Sequence, residues 1–331
     1  MRYALVLLLA APAAFALGPD FCANCHEIRP QVELWRKSTH RSVTCTTCHE
    51  YNLMRNVQRT TAHLRDRVPE QPKLGTEQAL AMVEKCRSCH QQQYDDWKAG
   101  PHSATYARLF TNQAHNTKRK LMDDCLRCHG MHFDGGINDL VTPINTQGPW
   151  KIAKAGMADR PTMPCLTCHT VHRAGEPVHK PEQRSGLAQS KVRPSLGMFD
   201  RRSRMNIAAA MLPIPAVFDG QRPVKMSPDE RQGLCYQCHA ALAQGNIASG
   251  DDRTPVGVHE GLSCFACHQG HQQNTRASCG TCHPRLSNCG IDVEKMDTTF
   301  KDAKSRHNVH TVKCLDCHPS GVPRRPARSI Q

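Results

Sequence analysis

The chain has 331 residues with 43 Lys and Arg against 29 Asp and Glu, and its formal net charge of +14 would suit an acidic partner. Aromatic residues make up only 5% of it, which is too few for a large conventional hydrophobic core, although the length allows two domains. It contains instead 19 Cys and 20 His, the residue types that hold metals and redox groups.

The first residues predict an exported protein. Arg2 is followed by an apolar run over 3–13 and then by the small-x-small pattern Ala14-Phe15-Ala16, which precedes a signal-peptidase cut. This run is shorter than the roughly 20 apolar residues that span a bilayer, and no later segment is long and apolar enough. We therefore expect residues 1–16 to be a cleaved signal peptide. The mature protein should be periplasmic or extracellular, with no integral membrane segment.

One five-residue pattern, Cys-x-x-Cys-His, then occurs nine times. The motifs, numbered I to IX in chain order, start at Cys22, Cys45, Cys86, Cys125, Cys165, Cys235, Cys264, Cys279 and Cys314. Their second cysteines are Cys25, Cys48, Cys89, Cys128, Cys168, Cys238, Cys267, Cys282 and Cys317. Their histidines are His26, His49, His90, His129, His169, His239, His268, His283 and His318.

This is the pattern of c-type haem attachment. Two thiols three residues apart can add to the two vinyl groups of one porphyrin, while the next imidazole binds the iron as the proximal ligand. Cys-x-x-Cys pairs also serve zinc sites and disulfide frameworks, but here His follows all nine pairs. The sequence therefore resembles a multihaem cytochrome c with nine covalently bound haem c groups.

The resemblance implies a mainly α fold with extensive loop, in which short helices wrap around a chain of closely packed haems. Because aromatic residues are few, we expect the porphyrins themselves to supply most of the core. The haem propionates would also balance much of the Lys and Arg excess. Nucleic acid is therefore not an expected partner.

Residues 20–65 also resemble the opening of the NapC/NirT family, small tetrahaem cytochromes that take electrons from membrane quinol. The resemblance rests on the runs FCANCHE (21–27), WRKSTH (35–40) and VTCTTCH (43–49). That family has a transmembrane anchor before its first motif, and commonly a Met where this chain has Ile28. Only the haem-binding scaffold is expected to carry over.

The longest gap between motifs divides the chain, because 70 residues separate the starts of motifs V and VI. We predict a five-haem N-terminal part at 17–180 and a four-haem C-terminal part at 227–331. Between them, the Pro-, Arg- and Ser-rich segment 181–226 is expected to be a linker or surface excursion. No persuasive alternating strand is visible anywhere in the chain.

Helix starts are predicted ahead of two motifs. Thr76-Glu77 should begin a helix that runs into Cys86. Ser227 and Glu230 form a capping box with Pro228 at the first helical position, which predicts a helix through motif VI. The apolar run at 207–212 is expected to pack as a short helix.

Eleven histidines lie outside the motifs, and nine irons need a sixth ligand. Three follow a motif by three residues: His132, His172 and His271. Two closely precede a motif, His259 and His310, and two follow a Trp-bearing helix, His40 and His102. Four more compete for the last two positions: His63, His115, His179 and His307. His63 is favoured because the NapC/NirT pattern also places a ligand there.

Two imidazoles on each iron would give saturated, low-potential haems that pass electrons and do not bind substrate. We therefore predict an electron carrier whose partners are other redox proteins, such as a quinol-oxidising donor, a terminal reductase or an outer-membrane conduit. Two alternatives stay open. One is a multihaem reductase for nitrite, hydroxylamine, a sulfur oxyanion or a metal, with one open haem. The other is a subunit of an extracellular cytochrome filament.

The nineteenth cysteine, Cys289, lies outside the motifs, seven residues after Cys282. With no unpaired partner in the chain, it is expected to be a buried free thiol. An intermolecular disulfide or a ligand role is the alternative.

Overall fold

The structure, a computed structural model, describes residues 19–20, 23, 26, 28–50, 52–65, 74–144, 146–172, 192–239, 253–271, 275–287 and 289–323. These residues form two compact units. The first unit contains the described residues before 180 together with 192–211, and the second contains those from 212 onward. The predicted signal peptide, the motif I thiols and His179 lie outside the described residues.

Short helices connected by loops form most of the first unit. They are α1 Arg29–Arg36, α2 Cys45–Cys48, α3 Leu53–His63, α4 Thr76–Arg87, α5 Gln91–Ala99, α6 Tyr106–Phe110, α7 Gln113–Asn116 and α8 Ile137–Leu140. Turns of 3₁₀ helix add Pro101–Ser103, Asp123–Arg127, Ala155–Met157, Cys165–Thr167 and Ala209–Met211. This helix-and-loop character agrees with the predicted fold class.

Helix α4 confirms the helix predicted to run into Cys86. Its start is stabilised by the Gln78 side chain, which accepts a hydrogen bond from the Gly75 N–H at 3.1 Å. Thr76 does not cap this helix. Its hydroxyl donates instead to the His132 carbonyl at 2.7 Å, and this bond joins the helix to the segment after motif IV.

A conventional apolar core occupies part of the first unit. Its largest members are Tyr106, Phe110, Phe133 and Trp150, which pack with Leu and Val residues between motifs III and V. The expectation that the aromatic residues are too few for such a core is therefore wrong for this region. The 5% aromatic content is an average over the chain, and four of its 16 aromatic residues meet in this cluster.

Three two-stranded antiparallel ladders were not predicted. They pair β1 Val141–Thr142 with β2 Lys151–Ile152, β3 Gly197–Asp200 with β4 Met205–Ala208, and β5 Phe218–Asp219 with β6 Arg222–Pro223. All are short, and four of the six have only two residues, which is too few to show the alternation of buried and exposed residues that predicts a strand from sequence.

Hairpin β3–β4 lies in the segment predicted to be a linker, 181–226. The Gly197 N–H donates to the Cys168 carbonyl at 3.0 Å, and the Thr170 N–H donates to the Ser195 carbonyl at 2.9 Å. These bonds hold the hairpin against motif V, so residues 192–211 are part of the first unit. The short helix expected at 207–212 is wrong at its start, because β4 continues to Ala208 and only the turn Ala209–Met211 is helical.

The second unit contains α9 Gly233–His239, α10 Arg276–Cys282 and α11 Cys314–Cys317. Its 3₁₀ turns are Glu230–Gln232, Gly257–His259, Cys264–Ala266 and Val293–Lys295. In both units, the described ranges include no helix that is long and apolar enough to cross a membrane.

The helix predicted through motif VI is present, but its cap differs from the prediction. Asp229, not Ser227, accepts a hydrogen bond from the Arg231 N–H at 3.1 Å and caps the first helical turn. The Asp229 carboxylate is fully buried and also accepts from the Ser263 hydroxyl at 2.7 Å. The capping carboxylate is thus also bonded to Ser263, a residue 34 positions away.

Candidate haem-binding sites

The motifs share one backbone geometry. In seven of those described, the motif His N–H donates to the carbonyl of the motif's first cysteine at 2.8–3.0 Å: motifs II, III, IV, V, VII, VIII and IX. This is the hydrogen bond of a single helical turn. Residues three and four apart lie on one side of such a turn, so both thiols and the imidazole face the same way. That arrangement is what attachment of one porphyrin requires.

Four motif imidazoles each lie opposite an imidazole from outside the motifs. The ring centroids of His26 and His63 are 5.6 Å apart, and those of His49 and His172 are 5.9 Å apart. The other two pairs are His90 with His40 at 6.0 Å and His268 with His310 at 6.1 Å.

This spacing fits an iron between the two rings. Metal–imidazole bonds in proteins are about 2.0–2.1 Å long, so two imidazoles on opposite sides of one metal have centroids roughly 6 Å apart. The residues present therefore fit haem groups with two imidazole ligands.

Hydrogen bonds orient several of the candidate sixth ligands. The Nδ1 of His172 lies 2.9 Å from Gln31 Oε1, and the Nδ1 of His310 lies 3.1 Å from Asn308 Oδ1. His259 Nδ1 lies 2.9 Å from a backbone carbonyl, that of Val309. Because each oxygen accepts the Nδ1 proton, the Nε2 lone pair is left for a metal.

Burial favours the neutral, iron-binding form of three candidate sixth ligands, His40, His172 and His310. Burial first, and then the neighbouring His268, lower the pKa of His310 to about 4. Burial likewise lowers the pKa of His172, and the charge of His49 acts in the same direction. The pKa of His40 falls through burial and through His90. At neutral pH these side chains carry no proton that would compete with a metal.

Thiols of different motifs contact one another within each unit. With haem attached, these sulfur atoms would be thioethers, and each would mark the edge of a porphyrin. In the first unit, Cys86 of motif III and Cys165 of motif V share a hydrogen bond. In the second unit, Cys235 of motif VI and Cys264 of motif VII do the same. The attachment points of these motif pairs are therefore neighbours.

The pKa values of two other thiols show which further motifs are close to each other in each unit. Burial raises the pKa of Cys48, and Cys86 and Cys89 of motif III raise it further. Burial also raises the pKa of Cys267, a motif VII thiol, to which Cys279 and Cys282 of motif VIII contribute. Motif II is thus close to motif III, and motif VII is close to motif VIII.

The remaining predicted ligands have different surroundings. His102 is exposed in the turn Pro101–Ser103, and His271 is half-buried three residues after His268. His132 is only 1% exposed, and its ring stacks on Phe199 with centroids 4.1 Å apart. Both nitrogens of His132 are buried without a hydrogen-bond partner within 3.5 Å, which is the state of a side chain whose partner is absent. Ligation by these three histidines stays a prediction.

Cys289 is exposed, so the expectation of a buried thiol is wrong. It lies in a tight turn in which the Gly290 N–H donates to the Ser287 carbonyl at 2.9 Å. Gly290 has a φ of +78°, a conformation that glycine adopts readily. The turn places Cys289 at the surface although the flanking residues give no sign of it.

Sequence reasoning did not identify the residues that orient the imidazoles. Gln31 is 141 positions from His172, and no local pattern links the two. Asn308 is close to His310 in sequence, but Asn residues near a motif are too common to single it out.

Comparison with known families agrees with this geometry. Residues 85–170 match the family model described as cytochrome c554 and c-prime, and residues 216–284 match that of cytochrome c7 and related cytochrome c. No curated protein and no solved structure matches the chain significantly. The two family matches support a multihaem c-type cytochrome, with covalently bound haem c and a role in electron transfer. Cytochromes of this class are typically exported and exchange electrons with other redox proteins.

Proposed function

We propose that this protein is an exported nine-haem cytochrome c that conducts electrons between redox partners through haems with two imidazole ligands each. The proposal goes beyond the family matches in the number of haems, in their ligands and in the partners. The four imidazole pairs at 5.6–6.1 Å carry it. When bound, the haems would supply one-electron chemistry.

The pairs support a proposed sixth ligand for each of four haems, which are numbered by their motifs. His63 serves haem I, His172 serves haem II, His40 serves haem III and His310 serves haem VII. In each case one imidazole comes from the motif and the other from a distant part of the chain. Both side chains would bind the iron when the haem is attached, and the iron would then have no open position for a substrate.

For the other irons, the proposed sixth ligands are His102, His132, His259 and His271. The buried nitrogens of His132, neither of which has a hydrogen-bond partner within 3.5 Å, support its inclusion. His259 is included because an oxygen lies beside its Nδ1, as at His172, and leaves Nε2 for a metal. His102 and His271 rest on their position relative to the motifs.

The thiol contacts support conduction along each unit. In the first unit, haems II, III and V would be neighbours, because motif III is close to both of the others. In the second unit, haems VI, VII and VIII would be neighbours in the same way. Haems attached at neighbouring points can exchange single electrons directly.

The proposed partners are other redox proteins: a quinol-oxidising donor, a terminal reductase or an outer-membrane conduit. Direct quinol oxidation is not proposed, since only the scaffold of the NapC/NirT family is expected over 20–65. The excess of Lys and Arg would balance the haem propionates, so the charge does not require an anionic partner.

Electron paramagnetic resonance of the fully oxidised, mature protein tests the proposal. We expect only low-spin ferric signals, and the reduced protein should show little change in its Soret band under carbon monoxide. A high-spin signal that integrates to one iron, or rapid carbon monoxide binding by one haem in nine, would overturn the conductor and favour the reductase. A high-spin signal that disappears on self-assembly would favour the filament.

A further inference from the structure

One sixth-ligand position has no assigned histidine after the eight proposed above. His115, His179 and His307 compete for it, and among the described side chains His307 can be judged by its geometry. It lies in the second unit, on the loop between motifs VIII and IX. Its side chain is 22% exposed, so it is not a free surface residue.

The loop holds His307 in one orientation. Its backbone N–H donates to the Ser305 hydroxyl at 3.0 Å, and its carbonyl accepts from the Thr299 N–H at 3.0 Å. The imidazole Nδ1 lies 2.9 Å from the Asp297 carbonyl and 3.5 Å from the Asp297 carboxylate. Both backbone and ring are therefore anchored, and the anchor fixes the Nδ1 proton toward Asp297.

The other ring nitrogen faces a haem attachment point. His307 Nε2 lies 3.9 Å from the sulfur of Cys317, the second thiol of motif IX. A free thiol can donate a weak hydrogen bond to Nε2, but in the mature protein this sulfur is a thioether and has no proton. The ring proton is on Nδ1, where Asp297 holds it, so Nε2 can only accept a hydrogen bond. The thioether sulfur that it faces can also only accept. The described contact thus cannot satisfy Nε2 once haem IX is attached.

The same arrangement occurs at His310, where an oxygen holds Nδ1 and the ring lies opposite a motif imidazole. It also occurs at His172, which is held by Gln31 and lies opposite His49. In both, an oxygen beside Nδ1 and an opposing motif imidazole occur together. His307 has the first of these features, and its Nε2 faces the edge of an attached porphyrin.

We infer that His307 is a sixth iron ligand for one of the two C-terminal haems, VIII or IX. The inference rests on the proposed function, because it assumes haems with two imidazole ligands. Asp297 is its positioning residue and acts through the Nδ1 hydrogen bond. The sequence alone does not distinguish His307 from His115 and His179, because none of the three lies in a repeated pattern.

The test compares His307→Ala with the wild type as mature, haem-loaded protein. We expect one additional high-spin ferric iron by electron paramagnetic resonance and one additional haem that binds carbon monoxide. His310→Ala is the positive control, and His115→Ala and His179→Ala are the competing variants. Intact mass checks that each protein retains its full set of haems. An unchanged spectrum in His307→Ala, or a new high-spin iron in a competing variant instead, would overturn the inference.

His307→Met keeps the test decisive if the alanine variant does not mature. A methionine ligand raises the potential of the iron it binds, so we expect one haem to titrate at higher potential and the others to stay unchanged. Unchanged potentials throughout would refute ligation by His307. Failure of the conductor itself would be visible in the wild type, as a high-spin iron before any substitution. Ligation by His307 is judged from the difference between variant and wild type, so the two failures can be told apart.

Discussion

His172 provides the sharpest test of the imidazole pairs, because its ring lies opposite a motif imidazole that is far from it in sequence. It follows the motif V imidazole by only three residues, yet its ring lies 5.9 Å from that of His49 in motif II. Replacing it with alanine should therefore open the iron of haem II. Since each pair serves one iron, the expected high-spin signal integrates to one iron in nine.

A second experiment, in a variant that lacks haem II, identifies the haem that His172 serves. Substituting both Cys45 and Cys48 with alanine removes the attachment of haem II and should leave a protein with eight haems. In that background His172→Ala should add no further high-spin iron, because the iron that it serves is already absent. Spin integration and carbon monoxide titration, each normalised to haem content, measure both steps. A full additional high-spin iron in the eight-haem protein would show that His172 serves another haem and that the ring pairs do not report ligation.

Three further predictions concern stability and loading. Gly130→Ala should lower the melting temperature, since Gly130 has a φ of +141° and a Cβ there would lie 2.8 Å from the Tyr106 ring. Backbone strain of about 1–3 kcal/mol and overpacking of about 1–3 kcal/mol should both lower its stability. The control is Gly156→Ala, which has nothing within 4 Å of the new Cβ and should change stability by less than about 1 kcal/mol. Equal effects of the two substitutions would contradict the packing around Gly130. Hydrogen bonds from Arg231 and Ser263 outweigh burial and lower the pKa of Asp229, so its stabilisation should be complete above the usual Asp pKa and lost as the pH falls through the lowered value. Thermal melting across acidic pH should show this loss in the wild type and a flatter profile in Asp229→Asn; parallel profiles would refute it. The mature chain should carry nine haems by intact mass, and eight or fewer after full maturation would show that one motif does not attach haem.

The sequence alone predicted the attachment motifs and the two helices that run into motifs III and VI. The Cys-x-x-Cys-His spacing covers one helical turn, so short-range backbone geometry is enough to place two thiols and an imidazole on one side. Helix α4 was predictable for the same reason, because its start and its buried face are formed by neighbours in sequence. The assignment to multihaem c-type cytochromes needed nothing more than this local pattern, and the family matches support it.

Tertiary structure decided which imidazole meets which motif. His172 is nearest in sequence to motif V, but it lies opposite His49 because contacts between distant segments, including the bond to Gln31, fix its ring. Hairpin β3–β4 and the cap at Asp229 depend on partners far along the chain in the same way. A local pattern specifies the direction of a side chain within its own turn, whereas a ligand pair requires two segments to be brought within roughly 6 Å of each other. Only the packing of the whole chain determines that distance.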